Sequence, residues 1–152
     1  MKTNQLESLF KTAVQFIGNY AHINSVSEFE NQNQTNDSFS EKWVKLDAKS
    51  STSSIETFQK DWVLKLYGFD SEASFADFLK NKKFIIDAGC GLGYKAAWMA
   101  ELAPHAIVFG ADFSEAAVVA AKRYAHINNL FFVRADIADL PFKPGKFDFI
   151  LC

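Results

Sequence analysis

The chain is poor in the residues that brace small secreted proteins. Two cysteines in 152 residues, Cys90 and Cys152, offer no disulfide framework and no paired metal-ligand spacing. A reduced, cytoplasmic setting follows from that scarcity. No apolar run approaches the roughly 18–20 residues that span a bilayer. The N-terminal MKTNQLESLF puts charge and amides where a signal peptide needs an apolar stretch. Neither sign of charge dominates: 16 Lys and Arg against 18 Asp and Glu leave −2, with no basic stripe to suit nucleic acid. Prolines number three and glycines seven, yet three of those glycines fall within residues 89–93. What the chain does have is apolar material. Hydrophobic residues make up 49% and there are 16 phenylalanines, enough for a core in one domain-sized length.

Composition divides the chain near residue 82. Leu6, Leu9, Phe10, Ala13, Val14 and Ile17 recur at helical spacing and predict an amphipathic helix over 4–17. ENQNQTNDSFS has no period and little apolar content, which predicts a polar loop over 30–54 that runs into SSTSS. Phe39 and Trp43 stand four apart between them. Ile55, Phe58, Trp62 and Leu66 mark a helix ending near Gly68, and Phe75, Phe78 and Leu79 mark a short one. Residues 1–82 therefore read as a helical leader or cap. Its helices are more consistent with packing or a homodimer contact than with a membrane surface, because the polar face of the first is not lysine-rich.

From residue 83 the pattern changes. KFIIDAG, AIVFGAD and LFFVRAD are short apolar strands, and FDFILC begins a fourth. YKAAWMAELA and SEAAVVAAKRYAHI lie between the first three as helices, with Ser114 as a candidate N-cap. Strands alternating with helices over so few residues imply parallel pairing: an α/β, doubly wound, Rossmann-like sheet. Ligands bind such sheets at the carboxyl ends of the strands. Three strands end there in an acid, Asp87, Asp112 and Asp136.

The loop after the first strand is Gly89-Cys90-Gly91-Leu92-Gly93-Tyr94. Glycine permits positive φ and close approach of a ligand to the backbone. A dinucleotide fingerprint would want its third glycine at 94, where Tyr stands, and no Gly-Lys-Ser or Gly-Lys-Thr follows to make a P-loop. DAGCGLG instead resembles the cofactor motif of class I S-adenosylmethionine-dependent methyltransferases. The resemblance extends to the acid of GADFSE, 19 residues after Gly93, and to RADIADLPFKPGKFDFI, similar to that family's third-strand acid, LPF turn and fourth strand. It covers 84–152; SFSEKW more weakly resembles the leader of a bacterial type 11 or type 12 subgroup.

The resemblance implies S-adenosylmethionine as cofactor, S-adenosylhomocysteine as product, and methyl transfer to an unidentified acceptor, a small molecule being favoured over nucleic acid. It implies a cofactor site of Asp87, Ala88, Gly89, Cys90, Gly91 and Gly93, with the methionine amino group near Asp87 and Gly89, Asp112 on the ribose, and Phe113, Asp136 and Ile137 around the adenine. Other roles stay open from the residues alone. Asp87 also suits loop backbone groups, Asp112 a helix cap, and Asp136 a turn with Asp139 as competitor. Cys90 has no histidine partner in the sequence and reads as a small filler rather than a nucleophile. His22, His105 and His126 have no metal-ligand spacing, and no metal is expected. Asp148 reads as structural, and Trp43 and Trp62 as core or interface aromatics.

The resemblance also stops early. That family's sheet has seven strands, and this sequence supplies four of them. The expectation is a fragment of a longer enzyme, truncated after Cys152, with no general base to name and with one side of the last strand unpaired. The alternatives are a non-enzymatic cofactor-binding or interaction module and, less favoured, an NAD(P)-dependent oxidoreductase.

Overall fold

A computed structural model describes residues 3–23 and 52–152. The apolar runs become strands β3 (Phe84–Ala88), β4 (Ile107–Asp112), β5 (Leu130–Arg134) and β6 (Phe149–Leu151). The alternating segments become helices α4 (Tyr94–Leu102) and α5 (Ala116–Arg123). Strands β5, β4, β3 and β6 lie side by side and parallel, with Ile85 against Val108 and Phe149, and Phe109 against Phe131. The chain winds outward from β3 to β5 and then returns to β3's other side with β6, so the order reverses beside β3, the place where open sheets carry ligands. The doubly wound expectation holds.

The N-terminal expectation is corrected. Residues 4–17 are not one amphipathic helix: α1 covers only Thr3–Glu7, and β1 (Val14–Ile17) and β2 (Tyr20–Ile23) form an antiparallel hairpin. Gly18, at φ 62°, takes the first position of its two-residue turn, where a positive φ matches the twist of the flanking strands. The hairpin extends the sheet, with β2 parallel to β5 through Tyr20–Phe132 and Ala21–Val133, giving the order β1-β2-β5-β4-β3-β6. Tertiary pairing overrides the helical spacing here, because Phe16 and Ala21 gain a sheet to pack on. Much of the expected polar loop, and with it Phe39 and Trp43, lies outside the described residues. Residues 52–54 belong instead to α2 (Thr52–Tyr67).

Helix α2 forms as expected and ends at Gly68, but the spacing that marks it faces solvent. Phe58, Trp62 and Leu66 are 69%, 45% and 56% exposed, while Val63 is fully buried toward α4. Helix α3 (Glu72–Leu79) starts at Ser71, whose hydroxyl accepts from Ser74 N while Ser74 Oγ accepts from Ser71 N. Glu72 accepts the indole N–H of Trp98 at 2.7 Å, tying α3 to α4.

Two cores sandwich the sheet. On the α4–α5 face, Phe75, Leu79, Ile85, Met99, Val108 and Phe132 pack together. Alanines at 116, 117, 120 and 121 let α5 approach closely. On the other face, Phe10, Phe109 and Phe142 form a ring cluster that Phe16, Phe131 and Phe147 extend. Residues 9–11 are pinned there by Lys11 N donating to Pro141 O and Lys143 N to Leu9 O, both at 2.8 Å. Asp148 is structural as expected. Its carboxylate accepts Lys83 N and Phe84 N at 2.7 and 2.9 Å, which start β3 and hold its pKa below the ordinary carboxylate value.

Candidate functional site

The glycine loop leaves β3 at the sheet's carboxyl edge and turns directly into α4. Gly89, Gly91 and Gly93 have φ of 79°, 52° and 79°, the left-handed region that side chains resist. Gly89 N and Cys90 N both donate to Ala111 O, at 2.8 and 3.0 Å, so the loop's first half is hooked onto β4. Gly93 has a second reason to be glycine. A Cβ there would lie 2.7 Å from the Phe132 ring and 3.0 Å from Ala120 Cβ, so this position is fixed by helix–sheet packing. Gly110 on β4 is under the same ring, at 2.6 Å.

Asp112 sits at the end of β4 and braces the loop. Its Oδ2 accepts Gly91 N at 2.8 Å, and its Oδ1 accepts Ser114 N at 2.9 Å and the Ser114 hydroxyl at 2.6 Å. Ser114 Oγ in turn accepts Ala116 N at 3.3 Å, at the entry to α5. A carboxylate has about four acceptor positions; among the described residues three of those on Asp112 are used.

Asp87 is the unusual group. It points under the loop with no exposed surface, and neither carboxylate oxygen has a hydrogen-bond partner among the described residues. Among the described residues its cationic neighbour is Lys95, with Nζ 3.4 Å from Oδ1, and the Ala96 backbone N–H also favours its charged form. Burial disfavours the charge and the Asp112 carboxylate adds to that, while Lys95 opposes both. Burial wins, and the pKa rises from 3.8 to about 6. Lys95 is not among the residues that the sequence singles out. It is the second residue of α4, it also lines a cleft of about 70 Å³ between α2 and α4, and its only sequence signal is a basic residue two places after the third glycine.

The remaining expected residues lie further along the same edge, where β4 and β5 end. Phe113 is half-buried, and its carbonyl accepts Arg134 Nε at 2.9 Å; Arg134 also pairs with Glu115. Ala135 N donates to Asp112 O at 3.0 Å, so the segment leaving β5 stays beside β4. Asp136 Oδ1 accepts Ala138 N at 2.9 Å and starts a 3-10 turn over Ile137–Asp139. The Ile137 methyl Cδ1 would stand 3.3 Å from a Cβ on Gly89, so this side chain leans over the loop although it is 46% exposed. Asp139 pairs instead with Lys11 at 3.2 Å. Ala88 is buried at the end of β3, and Cys90 is buried with its thiol pKa pushed well up, chiefly by burial, which disfavours a thiolate. Among the described residues no three His, Cys, Asp or Glu side chains could hold a metal, and no helix is long and apolar enough to cross a membrane.

Residues 85–152 match the family model described as a methyltransferase domain. Over 71 residues the chain is 41% identical to demethylmenaquinone methyltransferase from Thermus thermophilus, covering 45% of this chain and 32% of that protein. It thus spans about a third of that relative's length. Magnesium protoporphyrin IX methyltransferase from Synechocystis, solved with S-adenosylmethionine, superposes with a TM-score of 0.57 at 22% identity over 84% of this chain and 64% of that one. The same enzyme with S-adenosylhomocysteine gives 0.55 at 24% identity, over 80% and 57%. At these identities the structural likeness establishes the fold.

Proposed function

We propose that the chain, whose residues 85–152 match a methyltransferase domain, is the cofactor-binding part of a class I S-adenosylmethionine-dependent methyltransferase that methylates an unidentified acceptor. The observation that carries this reading is Asp87: a fully buried carboxylate whose neighbours, Lys95 and the Ala96 backbone N–H, give it no well-formed hydrogen bond, under a loop of left-handed glycines. A buried polar group so underpaired calls for a partner. The α-ammonium of a methionine moiety is a cation of the right chemistry, and of the loop backbone it is Gly89, partly exposed and without a side chain, that lets a ligand come close. When bound, the cofactor supplies a methyl group already activated by its sulfonium.

The chain's own residues bind and align. Asp87 takes the ammonium, over a floor of Ala88, Gly89 and Cys90. Asp112 accepts a ribose hydroxyl while holding Gly91 in place. Phe113, Asp136 and Ile137 border the adenine, with Ile137 leaning over Gly89 as its apolar wall. Their contribution to rate is orientation rather than acid–base chemistry. Helix α2 of the leader, packed on α4 close to Lys95, borders the acceptor side in this reading. A small-molecule acceptor and a cytoplasmic setting accord with the balanced charge and scarce cysteine.

Calorimetric titration of the 152-residue chain with S-adenosylhomocysteine, NAD and NADP tests the reading. Binding of S-adenosylhomocysteine alone is expected. Tight binding of a dinucleotide with no response to S-adenosylhomocysteine would overturn it.

A further inference from the structure

We propose that Lys95 is a positioning residue that makes the site select a zwitterionic amino-acid end over a bare cation; this rests on the adenosyl-binding reading above. Lys95 projects from the second residue of α4, with its side chain only 16% exposed and its Nζ 3.4 Å from Asp87 Oδ1. Without ligand, the buried negative charge of Asp87 has this ammonium as its counter-ion, with the Ala96 backbone N–H of the same helix end beside it and no well-formed hydrogen bond to either oxygen. An incoming group that carries only a positive charge would meet Asp87 and the Lys95 ammonium together. Attraction to one is offset by repulsion from the other, at short range and away from water, where neither is well screened. A group carrying both charges avoids the conflict. Its ammonium takes Asp87, its carboxylate takes Lys95, and the net charge of the buried cluster stays the same.

Lysine suits this exchange. Its charge is compact and sits on a flexible four-carbon stem, so Nζ can swing from one carboxylate to another without moving α4. The cleft that Lys95 lines gives the stem room, and it is bordered by Glu56, Lys60 and Glu101, whose charges are opposed. Burial of Asp87 and its raised pKa agree with a carboxylate whose counter-ion leaves it underpaired.

The test is titration of the wild-type chain, Lys95→Met and Lys95→Arg with three ligands. These are S-adenosylhomocysteine, its decarboxylated analogue, and 5′-methylthioadenosine, which lacks the whole amino-acid end. Wild type should prefer S-adenosylhomocysteine over the decarboxylated analogue by about tenfold or more, the scale of one charge-assisted contact. Lys95→Met should shrink that preference to about threefold or less, Lys95→Arg should keep most of it, and 5′-methylthioadenosine should bind all three proteins alike. If Lys95→Met keeps the full preference, the proposal fails. It fails equally if Lys95→Met loses all three ligands together, because Lys95 is then a structural partner of Asp87. A wild-type chain that binds none of the three overturns the adenosyl-binding reading itself, and this proposal with it.

Discussion

Replacing Asp87 by asparagine should change how stability depends on pH, and the size of the change follows from the site. The folded chain keeps the Asp87 proton up to about pH 6, whereas the unfolded chain releases it near 3.8. Between those values the folded state binds more protons, so this group's contribution falls as pH rises through that window and is level above it. A rise from 3.8 to about 6 corresponds to about 3 kcal/mol, at about 1.36 kcal/mol per pH unit. The amide introduced by Asp87→Asn has nearly the same shape as the carboxyl group and no proton to release. The variant's stability relative to wild type should therefore increase by about 3 kcal/mol between about pH 3 and pH 7. Using the change with pH removes constant offsets, such as a buried amide or an unpaired Lys95. Urea unfolding at several pH values gives the measurement, with the buried Trp98 as fluorescent reporter. A difference that stays flat, or narrows as pH rises, would mean that Lys95 outweighs burial, and the account of Asp87 as a strained, underpaired charge would be wrong.

Three further outcomes are expected. Gly93→Ala forces a Cβ to within 2.7 Å of the Phe132 ring at φ 79° and should destabilise by about 2–4 kcal/mol in urea unfolding; adding Phe132→Leu should recover part of the loss, and complete additivity would refute the packing explanation. Asp112→Ala removes the acceptor of Gly91 N and Ser114 N and should weaken S-adenosylhomocysteine binding by about 1–3 kcal/mol; unchanged affinity in calorimetry would sink its ribose role. Phe10→Ala empties the centre of the second core, where the ring lies 4.6 Å from Phe142 and 5.7 Å from Phe109, and should destabilise by about 3–5 kcal/mol; a loss under about 1 kcal/mol would mean that the N-terminal segment does not hold that face.

The central sheet is legible because its signals are local. Apolar runs of strand length, helices between them and an acid or glycine at each end leave little choice of architecture, and Asp87, Asp112 and the glycine loop do meet at one edge. The hairpin is hidden because two periods coincide over Phe10–Ile17. Leu6, Leu9, Phe10 and Val14 fit a helix, while VQFI, Gly18-Asn19 and YAHI also fit two strands with a two-residue turn. The pairing that decides between them is with β5, far along the chain, and no local pattern reports it. Phe58, Trp62 and Leu66 locate helix α2, yet these are its exposed face; periodicity finds a helix without saying which side is covered. The third glycine reads as a ligand feature and is at least as much a packing one, since the Phe132 ring that demands it is 39 positions away. Lys95 shows in the sequence only as a basic residue two places after Gly93, because its meaning depends on the depth of Asp87, which only the fold supplies.

The docking of β2 on β5 also sets a timetable. Phe132 N donates to Asn19 O at 2.8 Å, so two groups far apart in the chain must meet before the sheet has its outer strands. At roughly 5–20 residues per second, a ribosome needs roughly 5–20 s to make the intervening chain. Throughout that interval Phe10 and Phe16 exist without the rings they later rest on. The nascent N-terminal segment is therefore a hydrophobic stretch in waiting, and a chaperone that samples early chains should hold it until β5 emerges.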